Sequence, residues 1–237
     1  MSSIIDNIRR DLISASDEKT RISGEGFFKE PVKLYGVKSH EVHLIGKKNF
    51  SNLENTKKQV IFDLCRALWQ SGYMEESIIA CEWSYNIHRQ YVIDDFNIFE
   101  KWVSKYVSNW ASCDTLCNHS VGTLIEMYPS LLEGLKRWSL STNRWMRRAS
   151  AVSLIIPAKN GMFLSNIFEI SDILLKDNDD MVQKGYGWML KAASQSHQEE
   201  VFDYVMKNKS EMPRTALRYS IEKMTPEMRK RAMEKTK

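Results

Sequence analysis

The sequence predicts an all-α fold, an α-solenoid of antiparallel helix pairs with a concave basic groove. Three observations predict it. Ten glycines and five prolines in 237 residues leave little to interrupt helical runs. No alternating strand pattern persists along the chain. The links between helical stretches are short, which makes successive helices antiparallel neighbours. Residues 1–237 read as one domain, within the length one compact unit or a short solenoid can take.

The elements are expected in the following order. Helices over 2–15 and 18–29 come first. A helix over 39–49 has Ser39 at its start and Glu41 in its first turn, where an acid suits the helix dipole. Helices over 54–70, 74–89, 92–107 and 110–127 follow. Pro129 marks the first turn of a helix over 130–138, because proline is preset for that position. Helices over 143–156 and 163–175 precede the run Asp177-Asn178-Asp179-Asp180, which offers a cap and first-turn acids to a helix over 179–194. Helices over 198–208, 213–223 and 226–235 complete the chain, with Pro213 and Pro226 in first-turn positions.

A period accompanies this pattern. Trp110 and Arg148 are 38 residues apart, and Arg148 and Trp188 are 40 apart. HEAT-type helical repeats run at roughly 40–47 residues. Residues at that spacing fall on equivalent helices of successive repeats and line one side of the superhelix.

Charge and composition narrow the function. The formal net charge is +4 and the sequence pI about 8.7, which permits nucleic-acid binding, so distribution matters more than the total. Residues 141–150 carry Arg144, Arg147 and Arg148 with no acid. From Arg214 onward the basic residues are Arg214, Arg218, Lys223, Arg229, Lys230, Arg231, Lys235 and Lys237, against Glu222, Glu227 and Glu234. No apolar run approaches the roughly 18 residues a membrane span needs, and the start shows no secretory leader. Cys65, Cys81, Cys113 and Cys117 form no disulfide-like spacing. The expected location is a reducing cytoplasm, on the nucleoid in a prokaryote, and no membrane partner is expected.

Trp110 and Asp114 carry the chemistry. They lie in Asn109-Trp110-Ala111-Ser112-Cys113-Asp114, about one helical turn apart, so indole and carboxylate share a face. A buried unpaired charge beside a large π-surface is costly as a core device. It suits holding a cationic substrate, or stabilising a cation that forms during reaction. Basic and aromatic residues recur downstream in Arg144, Arg147 and Arg148, then Lys184, Trp188 and Lys191. Each also has an ordinary role open to it: the tryptophans as packing residues, the arginines as a solvated face, and Gly185 and Gly187 as sites of close helix packing.

These residues resemble the AlkD family of DNA alkylation-repair glycosylases. The resemblance rests on Asn109 to Asp114, on Asn143-Arg144-Trp145-Met146-Arg147-Arg148-Ala149, and on Gln183-Lys184-Gly185-Tyr186-Gly187-Trp188-Met189-Leu190. Phe27-Phe28-Lys29 and Leu34-Tyr35-Gly36-Val37 extend it toward the N-terminus. It implies a HEAT-like fold, Asp114 as the catalytic carboxylate, Trp110 and Trp188 as cleft indoles, and Arg148 as a phosphate-side arginine. Arg144, Arg147, Lys184, Lys191, Phe27 and Lys29 join it as expected DNA contacts. Phe27 stands where the family's cleft can carry a tyrosine, which removes a hydroxyl. The resemblance also implies that the lesion stays stacked in duplex DNA rather than being flipped out.

The expected reaction follows from charge. A purine alkylated at N3 or N7 is cationic and leaves as a neutral base, so it needs little acid catalysis. It needs stabilisation of the charge developing on the deoxyribose and a positioned water, and a fixed carboxylate serves both. The partner is then double-stranded DNA carrying alkylated bases, bound by a monomer without a cofactor. No lysine is marked as a Schiff-base nucleophile, so lyase activity is not expected. The alternatives are a non-catalytic HEAT-like protein for branched or distorted DNA, and a protein-binding scaffold. No metal site is expected: Cys113, Cys117 and His119 lack a second ligand cluster, and His40-Glu41-Val42-His43 spaces its histidines three apart rather than four.

Overall fold

The computed structural model describes residues 3–234. Part of the first expected helix (Ser2), the end of the last (Lys235) and the tail base Lys237 lie outside the described residues. The fold is all-α. Among the described residues, the nearest approach to a strand pair is one isolated bridge between Lys33 and Tyr73. Two compact units divide the chain, Met1–Leu116 and Cys117–Lys237.

The first unit holds α1 (Ile4–Ser14), α2 (Glu18–Phe27), α3 (Ser39–Ser51), α4 (Lys58–Gln70), α5 (Met74–Asn86), α6 (Asp95–Tyr106) and α7 (Trp110–Thr115). Its core is the apolar faces of α1, α4, α5 and α6, with Ile8, Leu12, Ile61, Leu68, Ile79, Trp83 and Phe99 fully buried. Two acids on α5 tie the N-terminal segments down. Glu75 is 2% exposed and accepts from the backbone N–H groups of Tyr35 (3.1 Å), Gly36 (2.9 Å) and Val37 (3.2 Å). Glu76 is wholly buried and accepts from Arg9 Nε and Nη2, both at 3.1 Å, and from the Tyr35 hydroxyl at 2.7 Å. Three backbone donors on one carboxylate satisfy a buried charge within a segment that has no ladder of its own. Gly36 is required there: its φ is +87°, and a Cβ would come within 2.6 Å of the Asp17 carbonyl oxygen.

The second unit holds α8 (Gly122–Met127), α9 (Leu132–Ser139), α10 (Arg144–Val152), α11 (Ile155–Lys159), α12 (Leu164–Leu174), α13 (Asp180–Ala193), α14 (Gln198–Asn208), α15 (Arg214–Ser220) and α16 (Pro226–Met233). The pairs α9/α10, α12/α13 and α14/α15 are joined by short links, and α10, α13 and α15 pack side by side as one layer. These three run parallel. Arg144 lies against Asp179 and Arg148 against Gly185; then Gly187 lies against Ala216 and Tyr219, and Lys191 against Glu222. That is the alternation a helical-pair repeat produces.

Several expected boundaries shift for identifiable reasons. The run 110–127 is not one α-helix: a π-helical turn, Leu116–Val121, separates α7 from α8. It precedes Gly122, whose missing Cβ lets the backbone sit against the Ser153 carbonyl oxygen, 2.8 Å from where a Cβ would be. Ser39 opens α3 as a helical residue, and Lys38 takes the cap position without a side-chain bond. Pro213 is the N-cap of α15 rather than a first-turn residue, with its ψ of 141° extended. Pro226 does sit in the first turn of α16, and Asp179 does cap α13, accepting from Met181 N (2.9 Å) and Val182 N (3.3 Å).

Candidate functional site

Trp110 opens α7, and Asn109 makes that start. Its Oδ1 accepts from Ser112 N at 3.0 Å, satisfying a donor the helix cannot. Trp110 and Asp114 therefore stand one turn apart on a short, capped helix, both half-buried. The next residues enter the π-helical turn, so Asp114 lies where helical spacing changes. Extra residues of this kind often re-aim side chains at working sites.

The indole is not isolated. Phe28 stacks on it, with ring centroids 5.5 Å apart at 29°, and Phe27 meets it edge-on at 5.9 Å and 63°. Phe27 and Phe28 meet edge to face at 5.6 Å. Phe27 is 70% exposed, so the cluster has one face in solvent. The end of α2 sets this arrangement: Phe27 is its last helical residue and Phe28 turns extended. Lys29, which follows, is exposed. The expected helix over 18–29 thus stops two residues early, and the stop delivers both rings to Trp110. Sequence reading singled out Phe27 and missed Phe28 as the stacking partner; the doublet Phe27-Phe28 was the available signal.

Arg148, Lys184, Trp188 and Lys191 lie in the second unit, as do Arg144 and Arg147. The expected unopposed basic cluster is not what these side chains form. Arg144 Nε pairs with Asp179 at 2.8 Å and Arg147 Nε with Asp177 at 2.6 Å. Lys184 pairs with Asp180 at 3.1 Å, and Lys191 with Glu222 at 3.0 Å. Arg148 is only 5% exposed; its guanidinium donates to the Met181 carbonyl, and its stem packs over Gly185. Asp177 and Asp179 come from the loop before α13 and Glu222 from the turn after α15, so they offset bases that no acid neighbours in sequence, whereas Asp180 meets Lys184 one turn along α13 itself. Burial, with the Asp177 charge adding to it, pushes the Tyr186 phenol up. It stays protonated and donates to the Leu175 carbonyl at 3.1 Å, holding that loop.

Trp188 is half-buried on α13 and shares a face with Lys184 and Lys191. The fold thus brings Trp110 together with Asp114, Phe27 and Phe28, and separately aligns Arg144 and Arg148 on α10 beside Lys184, Trp188 and Lys191 on α13. Among the described residues no group of three or more His, Cys, Asp or Glu side chains could hold a metal ion. Cys113 and Cys117 are buried. No described helix is long and apolar enough to cross a membrane.

Comparison with known proteins adds two findings. The family model for DNA alkylation repair enzymes matches residues 8–224. A solved structure described as a predicted DNA alkylation repair enzyme from Enterococcus faecalis is similar, with a TM-score of 0.79 at 14% identity. The likeness covers 89% of this chain and 97% of that one, and at this identity it concerns the fold. No curated protein matches the chain.

Proposed function

Because the chain belongs to the DNA alkylation repair enzyme family, we propose that it is a monofunctional DNA N-glycosylase. Its substrate is duplex DNA carrying a purine made cationic by alkylation at N3 or N7. A role in DNA repair comes with the family; the reaction and the substrate are our reading. The family match spans both compact units, which supports treating them as one working domain.

The observation that carries the reading is Asp114 one turn from Trp110, on a helix whose indole is held by Phe28 and edged by the exposed Phe27. Asp114 stabilises the positive charge that develops on the deoxyribose as the neutral base departs, and accepts a proton from the attacking water. The glycosidic C–N bond breaks with its electron pair going to the base, and the water oxygen bonds to the sugar carbon. Trp110 lies against the sugar and the cationic nucleotide, with cation–π attraction of about 0.5–2 kcal/mol, and Trp188 is a second proposed DNA-facing indole. Phe27 leaves one side of the aromatic cluster open to solvent. That supports a route in which the lesion stays stacked while the enzyme grips the backbone. Arg144, Arg147, Arg148, Lys184, Lys191 and Lys29 are proposed backbone contacts. Those already paired with acids would exchange a carboxylate for a phosphate on binding.

The test is release of free base from duplexes containing N7-methylguanine or N3-methyladenine, followed chromatographically, with strand scission assayed before and after alkali. Base release, with breaks only after alkali, is the expected outcome. Binding without release would favour the non-catalytic alternative.

A further inference from the structure

The bases singled out in the 141–191 region have acids or a carbonyl for partners, whereas two arginines on the next helix of the same layer do not. Arg214 and Arg218 stand four residues apart on α15, so they share a face, and both are exposed. Among the described residues no carboxylate lies within ion-pairing distance of either. The buried residues of α15, Ala216, Leu217 and Ser220, occupy its other side.

The direction of that face is fixed by α13. At Gly187 the two helices approach so closely that a Cβ would come within 2.8 Å of Tyr219 Cβ and 2.9 Å of the Ala216 carbonyl oxygen. One turn on, Lys191 reaches across to Glu222 at 3.0 Å and lies over the Tyr219 ring at 5.6 Å. Lys191 shares its face of α13 with Trp188. Glu222 lies in the turn just past the end of α15. Counted from these contacts along the two parallel helices, Arg218 is at the height of Trp188 and Arg214 at the height of Lys184.

We propose that Arg214 and Arg218 grip the phosphodiester backbone of duplex DNA beside Trp188. This rests on the DNA-glycosylase reading and adds a binding surface to it. Guanidinium groups suit the task because each presents a planar fork of donors to a phosphate. Four residues of helix span about 6 Å, close to two of the ~3.4 Å axial steps between phosphates on one strand of B-DNA, so the pair can reach two phosphates of the same strand. Having no acid to displace, these arginines bind phosphate without first breaking an ion pair. The contact is to backbone alone and carries no base preference.

The experiment is a salt titration of duplex-DNA binding by fluorescence anisotropy. It uses the full-length wild type, R214A/R218A, the charge-conserving R214K/R218K, and R89A as an exposed arginine in the other unit. Losing two phosphate contacts should flatten the log–log salt slope by about 1.8, at about 0.9 per contact, and lower affinity about tenfold or more near 0.1 M salt. R214K/R218K should keep most of the slope, and R89A all of it. Circular dichroism of the double variants should match wild type. A wild type that binds steeply with salt, and an alanine pair that binds the same way, overturns this proposal and leaves the glycosylase reading standing. An R89A loss equal to that of the pair overturns it as well. A wild type that does not bind duplex DNA overturns both.

Discussion

Phe28 stacks on Trp110 with ring centroids 5.5 Å apart, although 82 positions separate them. The contact fixes the plane of the indole that neighbours Asp114, and it exists only because α2 ends at Phe27 and lets Phe28 turn extended. An aromatic pair of this kind contributes about 0.5–1.5 kcal/mol beyond its buried area. Phe28→Ala is expected to lower unfolding free energy by about 1–3 kcal/mol, at the low end of aromatic truncations because the site is half-buried. It should also slow base release, while Phe28→Tyr keeps both near wild type. Urea denaturation and single-turnover release measure the two. Unchanged release by a folded Phe28→Ala protein would show that the stack does not orient Trp110 for the reaction.

Asp114→Asn keeps the size and hydrogen-bonding capacity of the side chain and removes its charge. If Asp114 stabilises the sugar cation, release of N7- or N3-alkylpurine should fall a hundredfold or more, equivalent to about 2.7–4 kcal/mol of transition-state stabilisation. Affinity for the same duplex should stay equal or rise, because a negative charge has left the proposed phosphate-binding face. Equal release rates for the two proteins would remove Asp114 from the catalytic role.

Glu76 is wholly buried between Arg9 and the Tyr35 hydroxyl. Arg9 remains 39% exposed, so its charge is partly solvated when the partner is lost. Glu76→Ala is therefore expected to cost about 3 kcal/mol, the lower end for breaking a buried pair. Glu76→Gln should cost less, since it can still accept from one donor. Because Glu75 and Glu76 anchor residues 33–37, both variants should speed amide exchange there, read by mass spectrometry. A melting temperature unchanged in Glu76→Ala would refute the clamp.

Burial raises the Glu126 carboxyl above its ordinary 4.5, opposed by a bond to Asn160. The sign follows from proton binding: a folded form that holds its proton more tightly than the unfolded chain is favoured at low pH. That advantage is lost as pH rises from the unfolded value through the folded one. Glu126→Gln, which is always neutral, should then stabilise the protein above that window and change little below it. Denaturation midpoints at pH 4 and pH 7 test this. A gain at pH 4 equal to that at pH 7 would rule out titration of Glu126 as the cause.

Much of the fold was legible because helix formation here is a local matter. The scarcity of Gly and Pro, the Asp179 cap and the Pro226 start all act within a turn or two of chain, and the all-α class came out as read. The break at 116–121 was not legible. It coincides with Gly122 lying against the Ser153 carbonyl, a contact between residues 31 positions apart.

The site divides along the same line. Sequence alone determined that Trp110 and Asp114 share a face, because four residues of helix make one turn. It determined also that Lys184, Trp188 and Lys191 line one side of α13. Tertiary structure decided the electrostatics. Arg144, Arg147 and Arg148 have no acid beside them in the chain, yet Asp177 and Asp179 neutralise two and the Met181 carbonyl takes the third. In sequence those aspartates read as caps and first-turn acids, which is a local role. The parallel packing of α10 against α13 gives them a second one, because a charge is offset by whatever lies within a few ångströms and not by its neighbours along the chain. The same packing leaves Arg214 and Arg218 exposed without a carboxylate partner.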